Sequence, residues 1–147
     1  PEERSLWELG FLRVAQNTGL QGRWQQIGSN PKTICDTGHN EHALKHIVKQ
    51  AHEVANHVHW VLGMASDKEH TKALSIFPKT DSFYWTSSSS PRTIDSAILA
   101  EIALTSGLHG TDYSSVQEAL NTAIKHAKED DLIFVGGSTF VVADLNI

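Results

Sequence analysis

Arg23, Asp36, His39 and Asn40 are the side chains whose types and spacing first invite chemistry. Arg23 stands between a glycine and an aromatic in Gly22-Arg23-Trp24, so its guanidinium is held near a turn rather than on a long solvated helix. That fork matches phosphate bidentately; a surface ion pair is the plainer use of the same group. Asp36 closes the run Thr33-Ile34-Cys35 and leads into Thr37-Gly38-His39-Asn40, which opens an amphipathic segment. An acid at a strand end can accept both hydroxyls of a ribose, and it can equally cap the helix that follows. Polar groups also follow three later apolar runs: Ser66, Asp67 and Lys68, then serines 87–90 with Arg92, then Gly136-Gly137-Ser138. Lys68 beside Asp67 reads also as a solvated lysine at a helix start. The paired glycines imply a close backbone approach, either to a ligand or to a packed helix.

Nine histidines raise the question of a metal. His57 and His59 lie two apart in a strand-like run, and His39, His42 and His46 recur at three- and four-residue spacing. No HExxH or CxxC pattern accompanies them, so no metal held by this chain is expected. GxxxxGK[ST] and GxGxxG are absent too, which puts the main cradle for any phosphate outside this sequence.

Periodicity supplies the elements that must position these groups. Residues 1–20 read as a helix, with Pro1-Glu2-Glu3 at its start and Asn17-Thr18-Gly19 at its stop, belonging to a neighbouring domain. Short extended segments over 24–27 and 33–37 flank a turn at 28–31. Residues 41–56 carry Ala43, Leu44, Ile47, Val48, Ala51 and Ala55 on one helical face. Then come a strand over 57–63, a helix over 67–77, a strand over 81–87, a helix over 94–104 and a short edge strand at 112–113. A helix over 114–128 capped by Ser114 or Ser115, a strand over 131–135 and a helix over 139–145 complete the chain. Strands alternating with helices predict an α/β fold, a mostly parallel sheet with helices on both faces, Rossmann-like. Right-handed crossovers then bring the loops after residues 36, 63, 86 and 135 to one edge.

Composition narrows the classes. With 147 residues, 39% hydrophobic and 20% charged, the chain is an ordinary globular domain able to bury a core. A net charge of −5 argues against a nucleic-acid groove. No apolar run nears the roughly 18 residues of a membrane helix. The single Cys35 forms no internal disulfide, suits a reducing cytoplasm and lies in an apolar run, as a packed inert thiol does. The chain begins at Pro1 without a methionine, as a piece of a longer protein would.

Taken in order, Gly22-Arg23-Trp24, Asp36-Thr37-Gly38-His39-Asn40, Gly63-Met64 with Asp67-Lys68, Thr86 with Pro91-Arg92, and Gly136-Gly137-Ser138 resemble one known domain. It is the C-terminal domain of folylpolyglutamate synthase/dihydrofolate synthase, in the Mur ligase superfamily. The resemblance spans about residues 20–147, and residues 1–20 resemble the last helix of that family's central ATPase domain. It implies a terminal helix of the preceding domain over 1–20 and a glutamate-ligase domain over 21–147. It implies an ATP-dependent ligase, in which a folate or dihydropteroate carboxylate becomes an acyl phosphate that the amine of L-glutamate attacks. ATP would lie between this domain and the central one, which carries the phosphate loop and the Mg ligands. Arg23 would reach the phosphates and Asp36 the ribose, with His39 and Asn40 lining the same pocket. Lys68 and Ser138 would place glutamate, and this chain would contribute no catalytic residue and be inactive alone. Glu41 departs from the family, which usually has proline after the asparagine.

Three rival readings stand beside it. A Mur-type peptidoglycan precursor ligase would take a muropeptide in place of folate. A metal-dependent hydrolase would use Asp36, His39 and His59. A receiver-like module would be phosphorylated on Asp36, but it needs an acidic pair after its first strand, and residues 25–29 offer none.

Overall fold

The computed structural model describes residues 22–67 and 69–145; the helix expected over residues 1–20 lies outside the described residues. Among these residues six strands form one sheet in the order β1-β2-β6-β3-β4-β5. They are β1 (Gln25–Ser29), β2 (Lys32–Asp36), β3 (Val58–Leu62), β4 (Ser82–Thr86), β5 (Gly110–Tyr113) and β6 (Leu132–Gly136). β1 runs antiparallel to β2, and every other pairing is parallel. Central strands covered on both faces are mostly apolar, and β3 and β6 are buried at every position, with His59 the polar exception in β3.

Among the described residues five helices cover the faces: α1 (Glu41–Val54), α2 (His70–Leu74), α3 (Ser96–Thr105), α4 (Val116–His126) and α5 (Thr139–Ala143). The pleat sorts the strand side chains between them. Ile34, Trp60, Phe83 and Phe134 join Leu44, Leu74 and Leu99 of α1, α2 and α3. Cys35, Val61, Tyr84 and Ile133 join Leu120 and Val141 of α4 and α5 on the other side. The expected fold class is therefore the observed one. Ser115, rather than Ser114, caps α4 by accepting from the Glu118 N–H.

Two elements depart from expectation. The helix predicted over 67–77 shrinks to His70–Leu74. Its intended start is engaged elsewhere: Ser66 N–H donates to the Arg92 carbonyl and Ile94 N–H to that of Met64, joining the loops after β3 and β4. The first extended segment runs on to Ser29, through residues expected to turn, because Gly28 pairs with Thr33 and Ser29 with Lys32. Trp24, expected to start it, has φ 41 instead and belongs to the turn before it.

Candidate functional site

Strand register decides where the polar loops meet. Asp36 pairs with Gly136, and Gly136 with Leu62, so the ends of β2, β6 and β3 lie level. Gly63 N–H continues the ladder by donating to the Gly136 carbonyl at 3.2 Å. Gly137 sits at φ +91, and a Cβ there would stand 2.4 Å from the Gly63 carbonyl oxygen. The close approach that the glycine pair implied is thus to the backbone at the end of β3.

The Gly22-Arg23-Trp24 turn is fastened onto the end of β2. Thr37 N–H donates to the Gly22 carbonyl at 2.6 Å, and Trp24 N–H donates to Asp36 Oδ2 at 2.8 Å. Asp36 Oδ1 accepts from the Gly38 N–H at 2.7 Å. Asp36 therefore does not cap α1; Asn40 does, its Oδ1 accepting from the Ala43 N–H at 2.8 Å. A carboxylate has about four acceptor positions, so Asp36 retains capacity for ribose hydroxyls. His39 Nδ1 lies 3.3 Å from the Thr37 carbonyl, within reach to donate to it. Arg23 is exposed, and none of the ion pairs among the described residues includes it.

These groups border two hollows. One, of about 490 Å³, is lined by Arg23, Asp36, His39 and Asn40, and by His42 and His46 from the exposed side of α1. The other, of about 410 Å³, is lined by His39, Ser66, Asp67, Arg92, Ser138 and Phe140. His39 belongs to both. All four residues expected at a nucleotide come together in the first hollow, and Ser138 falls in the second. Ser138 is also the cap of α5, its Oγ accepting from the Phe140 N–H at 3.1 Å. Lys68 lies outside the described residues.

Arg92 lines the second hollow, a role that its place after a serine run does not announce. His42 and His46, whose spacing raises a metal pattern, line the first hollow together with Arg23. The hydrolase trio does not assemble. His59 pairs with Ile133, three residues before the Gly136 level of Asp36, which is about 10 Å along the strands. Among the described residues no group of three His, Cys, Asp or Glu side chains is arranged to hold a metal ion. Cys35 is fully buried, and burial, with Asp36 beside it, pushes its thiol up to about 12, the state of an inert core residue.

A mostly parallel sheet covered on both faces, with two hollows beyond its strand ends, defines a doubly wound α/β domain. The chain belongs to the family described as Mur ligase, glutamate ligase domain, which matches residues 22–139. Over 127 residues it is 30% identical to the dihydrofolate synthase/folylpolyglutamate synthase of Escherichia coli, covering 84% of this chain and 29% of that protein. It is 29% identical over 128 residues to the UDP-N-acetylmuramoyl-L-alanyl-D-glutamate--2,6-diaminopimelate ligase of Bacillus cereus, covering 81% of this chain and 26% of the relative. The crystal structure of a bifunctional folylpolyglutamate synthase/dihydrofolate synthase from Yersinia pestis, complexed with AMPPNP and Mn ion, superposes with a TM-score of 0.77 at 31% identity. That match covers 87% of this chain and 31% of the Yersinia chain. The chain thus spans about a third or less of the proteins it matches.

Proposed function

We propose that this chain is the C-terminal domain of a cytoplasmic ATP-dependent ligase that adds L-glutamate to a folate or dihydropteroate carboxylate through an acyl phosphate. The observation that carries the reading is the meeting of two hollows at His39, one bearing an arginine and an acid, the other a second arginine. A nucleotide and an amino acid are two ligands that must lie side by side in such a reaction. Arg23 would hold ATP phosphate through its bidentate fork, and Asp36 would accept ribose hydroxyls. His39 and Asn40 would line the nucleotide hollow.

In the second hollow Ser138, joined by Arg92, would place glutamate, the guanidinium matching its carboxylate; Lys68 would assist, as the family resemblance implies. Attack of the glutamate amine on an acyl phosphate requires both groups in near-attack geometry with water excluded. In this reading residues 1–20 end a central ATPase domain and residues 21–147 close over it. Mg would be held by that central domain, since no described cluster here suits a metal ion; bound there, it would neutralise phosphate charge.

The full-length protein, given ATP, L-glutamate and either dihydropteroate or a tetrahydrofolate, should release phosphate and form the glutamyl amide. Turnover with a UDP-muropeptide and none with a pterin acceptor would replace this reading with the muropeptide one, which the Bacillus relative favours.

A further inference from the structure

α5 and the residue that caps its C-terminus carry two side chains that grip the loop between β4 and α3 at separate points. Asp144 accepts from Ser89 twice, Oδ2 from its N–H at 2.5 Å and Oδ1 from its hydroxyl at 2.8 Å. Four residues earlier, and so on the same helical face, the Phe140 ring lies under the Arg92 guanidinium, 6.0 Å from centroid to Cζ. Between these grips the loop closes on itself, with Arg92 N–H on Ser90 Oγ at 3.2 Å and Ser88 N–H on Thr93 Oγ1 at 3.0 Å. The Arg92 carbonyl is held from the other side by Ser66 N–H at 2.7 Å.

We infer that Asp144 and Phe140 are positioning residues that aim Arg92 into the hollow it shares with Ser138 and His39. This rests on the reading of that hollow as the amino-acid site. The physical case is one of preorganisation. Arg92 is exposed and sits in a run of serines, so without anchors its long side chain would sample many rotamers and lose entropy on meeting a carboxylate. Asp144 lines neither hollow, so any effect it has on a substrate must travel through the loop. It also fixes both loop and α5 to one frame. The arginine and the Ser138 cap at the other end of α5 then keep a constant separation.

Steady-state kinetics of the full-length ligase test this, with glutamate and ATP varied separately. Arg92→Ala and Asp144→Ala should each raise KM for glutamate, by about tenfold for the arginine and severalfold for the aspartate, with KM for ATP unchanged. Asp144→Asn, which keeps one carbonyl acceptor, should fall between Asp144→Ala and wild type. Adding Asp144→Ala to Arg92→Ala should cost nothing further, because its effect runs through Arg92. If Arg92→Ala raises KM for glutamate while both Asp144 variants match wild type, the positioning role is overturned and the site reading stands. If Arg92→Ala leaves KM for glutamate unchanged, the site reading falls and the inference falls with it. An equal loss for ATP and glutamate in the Asp144 variants, tracking a lower melting temperature, would make Asp144 merely structural.

Discussion

The Asp36 carboxylate is committed to the fold before any ligand reaches it. Its two oxygens accept from Trp24 and Gly38, and so fix the turn that presents Arg23. The acid and its place at a strand end are legible in the sequence, which leaves open whether it meets a ribose or caps the following helix. The Trp24 bond spans twelve residues and depends on Trp24 adopting φ 41, which no local pattern announces. Asp36→Asn should therefore destabilise the chain by about 1–3 kcal/mol, since its amide nitrogen faces a backbone donor. Arg23→Ala, at an exposed position, should stay within about 0.5 kcal/mol. Urea unfolding of the two variants separates these cases, and equal midpoints would remove the structural role given to Asp36. For Cys35 the expectation is no reaction with a thiol reagent in the native chain and one thiol per chain in denaturant. Brisk labelling of the native protein would contradict its burial.

Strands and helices were legible wherever a periodicity of two or of about 3.6 met a cap. α1 and α4 have apolar stripes with Asn40 and Ser115 at their starts, so their structure follows from local residues. α2 does not: the backbone groups of residues 64–66 bond to residues 92–94, a tertiary competition invisible in a linear reading. Equally hidden was the polar network on the far edge of the sheet. There His59 bonds Asp131 at 2.8 Å and Tyr84 at 2.9 Å, and Tyr84 lies 3.3 Å from His126. Burial lowers the His59 pKa; the bond to Asp131 opposes this, and the neighbouring His57 reinforces it. Burial of Asp131 works against its ionisation, yet the Lys128 N–H and His59 hold its carboxyl below the ordinary value.

The sign for His59 follows from linkage. The unfolded chain takes up a proton near about pH 6.5 while the folded histidine stays neutral, so stability is complete above that pH and falls as pH drops toward the lowered folded value. Asp131 acts in the same direction at lower pH, below the ordinary carboxylate range. Unfolding free energy measured from about pH 8 to 5 should decline more steeply for wild type than for His59→Gln. Parallel curves would show that His59 does not carry the dependence.

At the scale of the whole molecule, an ordered set of short motifs held more information than any one of them. Gly22-Arg23-Trp24, the Asp36–Asn40 run and Gly136-Gly137-Ser138 lie far apart in sequence. The sheet order β2-β6-β3 brings their loops to one edge. What stayed illegible is the division of that edge into two hollows joined at His39, because it depends on side-chain volumes from α1, α5 and the β3–α2 loop. The chain alone lacks a phosphate loop and should turn over no ATP, with or without glutamate. Separated domains also lose the effective concentration that a covalent link supplies. Phosphate release by the purified 147-residue chain would show that it is not a partial site.

The central claim is that this edge is the nucleotide side of a ligase cleft, and Arg23 tests it most directly because the fold does not depend on its side chain. In the full-length enzyme, Arg23→Ala should retain the wild-type melting temperature. It should lose about ten- to a hundredfold in kcat/KM for ATP, the loss of a charge-assisted bond of roughly 1.5–3 kcal/mol, shared between kcat and KM, with KM for glutamate unchanged. Wild-type ATP kinetics in a well-folded Arg23→Ala enzyme would contradict the account.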